Sequence, residues 1–236
     1  MDWISFYDFK HSVIYVNARH RDVHYQTIAK DIRDLVLSPD AQVLDYGCGE
    51  ATSAALLAEA CGHLTMVEAA PNVRAALKER YASNPKISVL APEEAAAQTP
   101  ATYDLIVLHS VAQYLTAAEL DAMMATFRRL LKPSGTFVLG DIVPPQLASV
   151  WAALALLRFG AENGFFFAAV GGLMRILVSD YFRLKKSHGL AHYEEAEMLA
   201  RLKAAGFAPR RAGHNIGHNQ RRLTFLSAPR QAPHPP

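Results

Sequence analysis

Only two cysteines, Cys48 and Cys61, occur among the 236 residues. Two thiols supply neither a disulfide framework nor a zinc-ligand pattern, and they suit a reducing, cytoplasmic setting. No apolar run reaches the roughly 18 residues expected of a membrane span. The opening MDWISFYDFKHSVIYVN carries acids early and no basic stretch followed by an apolar core, so it does not read as a secretory signal. A formal charge of +2 is too small to argue for nucleic acid as the main ligand. Internal repeats and low-complexity linkers are also missing, which leaves one α/β unit with room for a small insertion.

What is present is a large apolar fraction, 51%, against 19% charged residues. This supports a sizeable core, and its patterning is ordered. Short apolar runs predict strands over Gln42–Tyr46, His63–Glu68, Lys86–Leu90, Tyr103–Leu108 and Thr136–Ile142. Between them, helices are predicted over Ala51–Ala60, Pro71–Tyr81 (opened by a proline) and Ala117–Leu131. The last of these places Leu120, Met124, Phe127 and Leu131 on one face. Lys132-Pro-Ser-Gly135 reads as a turn. Alternation of strand and helix implies a parallel sheet with right-handed crossovers. Two closing strands, Phe207–His214 and Arg222–Ser227, joined by a polar turn containing Gly217, would leave one strand antiparallel. The domain reading is an N-terminal helical cap over residues 1–40, a main domain over 41–228 with an apolar insertion at 145–190, and a proline-rich, frayed tail at 229–236.

The sharpest local signal is Val43-Leu-Asp-Tyr-Gly-Cys-Gly49, between a strand and a helix. Glycines there let the backbone approach a ligand and adopt unusual torsions. Asp45 would accept from a ligand ammonium or brace the turn. Some twenty residues on, Glu68 ends the second strand, where a carboxylate can hold both hydroxyls of a ribose. A phosphate-binding loop would need Gly-Lys-Ser/Thr, which is absent. A dinucleotide fingerprint would need glycine or alanine in place of Thr52, and a second mononucleotide half.

These segments, together with Tyr103-Asp-Leu-Ile-Val-Leu-His-Ser-Val-Ala-Gln-Tyr-Leu115 and Leu130-Leu-Lys-Pro-Ser-Gly-Thr-Phe-Val-Leu139, resemble the successive motifs of class I S-adenosylmethionine-dependent methyltransferases. The resemblance covers about 41–142 and the final strand pair. It implies a Rossmann-like, doubly wound seven-stranded sheet whose last strand is antiparallel, and S-adenosylmethionine as cofactor with S-adenosylhomocysteine as product. Carried onto this chain, it implies that Asp45, Gly47, Cys48 and Gly49 line the methionine part of the cofactor, Glu68 holds the ribose and Ala69 lies against adenine. It also implies that His109 and Ser110 flank the sulfonium. The family often has an acid shortly after the third strand for the adenine amine. Here Pro92 takes that place, followed by Glu93 and Glu94; either glutamate or backbone groups would serve, and the acids otherwise simply open a helix.

Methyl transfer depends on alignment and, for some acceptors, on proton removal. His109 is the candidate base by motif position, or else a pocket wall. In the N-terminal run Asn17–Tyr25, helical spacing would put Arg21, His24 and Tyr25 on one face and His20 with His24; an arginine or tyrosine there would cover the cofactor carboxylate, or the face is simply a solvated helix surface. His188, His192 and Tyr193, and His214 and His218, form no recognised metal pattern, and no metal is expected. The segment after the fifth strand holds Leu147–Leu157, Phe159, Phe165–Met174 and Ile176–Val178, bordered by Arg158, Arg175, Arg183, Lys185 and Lys186. It reads as a lid lining a pocket for an apolar acceptor, as a homodimer interface, or as a membrane-docking surface through 147–178. The expectation is therefore an enzyme that methylates a small, apolar acceptor on oxygen, nitrogen or carbon. A lipid methyltransferase at the membrane periphery and a cofactor-binding module without catalysis are the alternatives. Nucleic-acid methylation is disfavoured, because His109-Ser-Val-Ala stands where an Asn/Asp-Pro-Pro-aromatic tetrapeptide would.

Overall fold

The computed structural model describes residues 3–9, 15–147, 149–176 and 189–230. Two helices come first, α1 (Trp3–Phe9) and α2 (Ala18–Arg33). The alternating body is β1 (Gln42–Tyr46), α3 (Ala54–Glu59), β2 (His63–Val67), α4 (Pro71–Arg80), β3 (Ile87–Leu90), α5 (Pro92–Ala96), β4 (Tyr103–His109), α6 (Ala117–Leu130) and β5 (Leu131–Ile142). The insertion supplies α7 (Ser149–Glu162) and α8 (Phe166–Ile176). The chain then runs through α9 (Glu195–Ala204), β6 (Phe207–Arg211) and β7 (Leu223–Pro229). One seven-stranded sheet results, in the order β3-β2-β1-β4-β5-β7-β6. Strands β1 to β5 are parallel, and β7 runs antiparallel to both β5 and β6.

The two-residue period of a strand sends neighbouring side chains to opposite faces, and both faces of this sheet are covered. Leu44, Ile106, Leu108, Phe137 and Leu139 point into a core closed by α6 and α9, through Leu120, Met124, Phe127, Met198 and Leu202. Val43, Leu64, Met66, Leu105, Val107 and Val138 point into a second core closed by α2, α3 and α4 through Ile32, Leu57, Val73 and Leu77. Burial on both faces explains why the central strands are continuously apolar rather than alternating.

Local chemistry sets the helix starts. Asn17 caps α2 by accepting from His20 N at 2.8 Å, and Thr116 and Glu119 form a capping box at the head of α6. Pro71 sits in the first turn of α4, where a missing N–H costs nothing.

Several boundaries differ from the sequence expectation. Leu131 is not on the helix face: α6 buries Leu130 instead, and Leu131 opens β5, pairing with Tyr103. Lys132–Gly135 is absorbed into β5 as an irregularity, since the register jumps from Tyr103–Leu131 to Leu105–Thr136. Helix α3 begins at Ala54 rather than Ala51, because Ala51 has φ +37° and ends the glycine turn. The hairpin strands are also shifted, β6 ending at Arg211 and β7 running on to Pro229.

The insertion forms a helical pair. Leu156, Phe159, Phe165 and Ala169 pack with Val16 and Val23 at the head of α2. Gly172 lets α8 approach that segment, since a Cβ there would lie 2.1 Å from a methyl of Val16. His188, Arg183, Lys185, Lys186, the segment 177–178 and the tail beyond Arg230 lie outside the described residues. No helix among the described residues is long and apolar enough to cross a membrane.

Candidate active site

Parallel sheets bind ligands at the carboxyl ends of their strands, where neighbouring crossovers diverge. A cavity of about 1070 Å³ opens there, above the ends of β1, β2, β4 and β5. At the end of β1 the chain turns through Gly47 and Gly49, at φ +74° and +61°. The turn is fixed by N–H groups of Gly47 and Cys48 donating to Val67 O at 2.7 and 3.3 Å. Glu68, at the end of β2, completes it. One carboxylate oxygen accepts from Gly49 N at 2.9 Å and the other from Ala70 N at 2.8 Å. Burial pushes the Glu68 carboxyl up from its ordinary range, and these N–H donors oppose the rise.

Asp45 faces the same space. Burial, then the charge of Glu68, pushes it up to about 7. Two carboxylates aimed into one cavity, with no cationic side chain on Asp45 among the described residues, make a site that attracts a positively charged or hydroxyl-rich ligand. Arg74, from α4, holds the loop beneath by donating to the carbonyls of Glu68 and Ala69 at 2.7 and 3.0 Å.

Every residue that sequence reading assigned to the cofactor lines this one cavity. Asp45, Gly47, Cys48 and Gly49 form one wall, Glu68 and Ala69 the next, and Glu93, His109 and Ser110 the remainder. The two acids after β3 divide their roles: Glu93 reaches the cavity, whereas Glu94 caps α5 by accepting from Ala91 N. Helix α2 contributes Tyr25, whose hydroxyl accepts from Glu50 N at 2.9 Å and from Tyr15 at 3.0 Å. Arg21 is not among the lining residues; it lies 3.5 Å from Glu50 and 3.1 Å from Asp22. His192 is exposed and His214 sits 3.7 Å from Asp31, so neither reaches the cavity.

Sequence reading named Ser110 at the end of β4 but missed its partner Asp141, at the end of β5, and Arg222, just before β7. Ser110 and Asp141 both adopt left-handed backbone, φ +58° and +67°, a strained geometry that collects at functional sites. Ser110 Oγ and Arg222 both donate to Asp141. Burial alone would raise Asp141, but Arg222, His109 and these donors outweigh it and hold the carboxyl below its ordinary range. An acid closing the apolar run Thr136–Ile142 was the available signal. Beside this cluster, His109 Nδ1 and Gln113 Oε1 are buried with no hydrogen-bond partner among the described residues. Buried polar atoms without partners are costly, and both residues line the cavity.

Gly49 has a further constraint. A Cβ there would lie 2.6 Å from the Tyr25 hydroxyl, at a torsion that side chains rarely adopt. Gly49→Ala should therefore cost about 1–3 kcal/mol, read as a lowered thermal midpoint. Tyr25→Phe in the same chain should recover part of that loss; the absence of any recovery would show that torsion alone sets the cost.

Comparison with known proteins agrees with this geometry. A methyltransferase domain model matches residues 43–135, from the glycine turn to the start of β5. An uncharacterized methyltransferase of Synechocystis sp. (strain ATCC 27184 / PCC 6803 / Kazusa) is 26% identical over 125 residues, 53% of this chain and 58% of that protein. The match thus spans somewhat more than half the length of this relative. Among solved structures, magnesium protoporphyrin IX methyltransferase from Synechocystis PCC 6803 with bound SAH superposes with a TM-score of 0.58. It is 18% identical, covering 91% of this chain and 88% of that one. DesVI from Streptomyces venezuelae gives 0.59 at 19% identity, over 89% and 93%. The glycine turn with its paired acid, the sheet order and the methyltransferase domain matched over residues 43–135 all support a methyltransferase of the class I S-adenosylmethionine-dependent type.

Proposed function

We propose that the chain transfers a methyl group from S-adenosylmethionine to a small, rather apolar acceptor, in a reducing, cytoplasmic setting. One observation carries this reading: the nine residues assigned to the cofactor share a single cavity with a second set of lining groups from α2, α7 and the β6–β7 loop. Its volume of about 1070 Å³ exceeds the roughly 300–1,000 Å³ typical of one small-molecule site. It therefore has room for two ligands.

The residues present fit the cofactor. Asp45 would take the ammonium, the Gly47–Gly49 backbone would lie along the methionine chain, and Glu68 would accept from the ribose hydroxyls. Ala69 and Glu93 would border the adenine, with Glu93 as acceptor for its amine, and His109 and Ser110 would close the end nearest the sulfur. When bound, the cofactor supplies an electrophilic methyl on a positively charged sulfur. The chain's part is to align the acceptor and keep water out, which supplies much of the rate in such displacements. On α7, Ala152 and Leu156 give the cavity an apolar side, which is why we favour an apolar acceptor. A screen with labelled cofactor tests this: transfer to lipophilic acceptors is expected, and transfer confined to free amino acids would contradict it.

Placement of the ammonium beside Asp45 has a measurable consequence. Held near 7, this carboxyl is largely protonated at pH 6.5, and a cationic partner favours its charged form. Cofactor binding should thus release protons at pH 6.5, seen calorimetrically as heats that vary with buffer ionisation enthalpy. Asp45→Asn should abolish the release attributable to this group.

A second reading has its own observation. Val150, Trp151, Leu154, Phe166, Phe167 and Met174 leave an apolar face of α7 and α8 exposed. This favours a protein at a membrane surface with a lipid acceptor. Flotation with vesicles, compared with Phe166→Ser/Phe167→Ser, decides it: co-flotation of the parent chain alone supports this reading, and flotation of neither chain removes it.

A further inference from the structure

Four imidazoles line the cavity; His20 accepts from Val16 N at 3.3 Å, and the other three are His24 from α2, His109 from β4 and His218 from the β6–β7 loop. None of the ring nitrogens of these three is hydrogen-bonded to protein among the described residues, and His109 Nδ1 is fully enclosed. An enclosed nitrogen without a partner, as at His109, is costly unless a ligand satisfies it, and His24 and His218 are half-buried beside it.

The surroundings define that ligand. The His218 ring lies flat on Phe159, centroids 4.5 Å apart and planes at 13°. His20 stacks on Phe165 at 5.1 Å and 27°. His24 meets His218 edge-on at 6.1 Å, and Leu156 and Ala152 close the apolar side. The rings lining this slot are the imidazoles, with Phe159 and Phe165 stacked against His218 and His20 outside the lining, and such flat rings suit a flat ring. Its charge balance is closed: Asp141 accepts from Ser110 and is paired with Arg222. Neither a cationic amine nor a carboxylate finds an uncommitted counter-charge on this side. A neutral imidazole offers one N–H donor and one lone pair, and a hydroxyl complements both.

We propose that this slot is the acceptor subsite, that it takes a neutral planar aromatic ring bearing a hydroxyl, and that a ring nitrogen of His218 accepts the hydroxyl proton during transfer. The inference rests on the methyltransferase reading above. The hydroxyl O–H bond breaks and its proton passes to the His218 lone pair. The oxygen forms the new bond to the methyl carbon while the carbon–sulfur bond breaks, its electron pair staying on sulfur. Burial keeps His218 low, at about 4, with Arg222 and His109 lowering it and Asp141 opposing them. The ring is therefore neutral and able to accept before reaction. Its weak basicity suffices, because a hydroxyl oxygen that is gaining a methyl becomes a far stronger acid as the bond forms.

The test uses the full chain saturated with S-adenosylhomocysteine, titrated by fluorescence with 2-naphthol and with naphthalene. His218→Phe keeps the stack on Phe159 and removes the nitrogens. It should weaken 2-naphthol about tenfold, leave naphthalene unchanged, and lower labelled methyl transfer to 2-naphthol at least about 100-fold. Leu156→Trp, which fills the slot from α7, should block both probes without affecting S-adenosylhomocysteine. Failure of 2-naphthol to bind a chain that does bind S-adenosylhomocysteine overturns the subsite, and equal weakening of naphthol and naphthalene overturns the role of His218. Failure to bind S-adenosylhomocysteine at all overturns the parent reading and this one with it.

Discussion

Glu68→Ala is expected to weaken binding of S-adenosylhomocysteine about 100-fold, measured by calorimetry. The side chain is only 8% exposed and already accepts from Gly49 N and Ala70 N, so its oxygens are fixed before any ligand arrives. Hydrogen bonds to a charged acceptor contribute about 1.5–3 kcal/mol each. Loss of two to a ribose, partly offset by water entering the space, leaves about 3 kcal/mol, or two powers of ten. Ala also removes the brace on the glycine turn, so the thermal midpoint should fall as well. The two effects separate with a second ligand. The parent chain should prefer adenosine strongly to 2′,3′-dideoxyadenosine, and Glu68→Ala should show little preference. Discrimination that survives the substitution would mean that Glu68 only braces the turn.

Acidification should destabilise the fold steeply between pH 6.5 and pH 4. Burial is the leading cause that lowers His20 and His218 from 6.5 to about 4, and it lowers His24 and His109 in the same direction. Across that window the unfolded chain binds protons that the folded chain does not, so stability present at neutral pH is lost as pH falls. Each imidazole contributes at most about 1.4 kcal/mol per pH unit. Asp45 acts the other way. Its folded value near 7 lies above the unfolded 3.8, so it favours the fold increasingly as pH falls through the same range. Glu68, which burial also raises, acts with Asp45, so two carboxyls oppose four imidazoles, and the net slope keeps the sign of the histidines. Thermal unfolding followed by circular dichroism at half-unit pH steps checks this. His218→Phe should flatten the profile; a level profile in the parent chain would contradict the enclosure of the cluster.

Much of the cofactor side was legible because its chemistry is local. Gly47, Gly49 and Glu68 are dictated by a backbone turn and by the residue that ends the next strand, and a few positions settle each. Leu131 was misplaced because helix and strand meet without a break, and an apolar residue at the junction satisfies either period. The acceptor side was legible only in fragments. His24 and His218 were visible as polar residues in their own segments, yet nothing in either segment says that α2 and the β6–β7 loop converge on one slot. That convergence depends on β7 pairing with β5, which carries its loop back over the strand ends. Asp141 escaped notice because it sits inside an apolar run, at an irregularity of the β5–β7 ladder; its left-handed torsion and its pairing with Arg222 exist only in three dimensions.

The most direct test of the central claim is a calorimetric titration of the unmodified chain with S-adenosylmethionine and S-adenosylhomocysteine, with NAD as control. Saturable one-to-one binding of both sulfur compounds, and none of NAD, is expected. A folded chain that binds neither would contradict that claim.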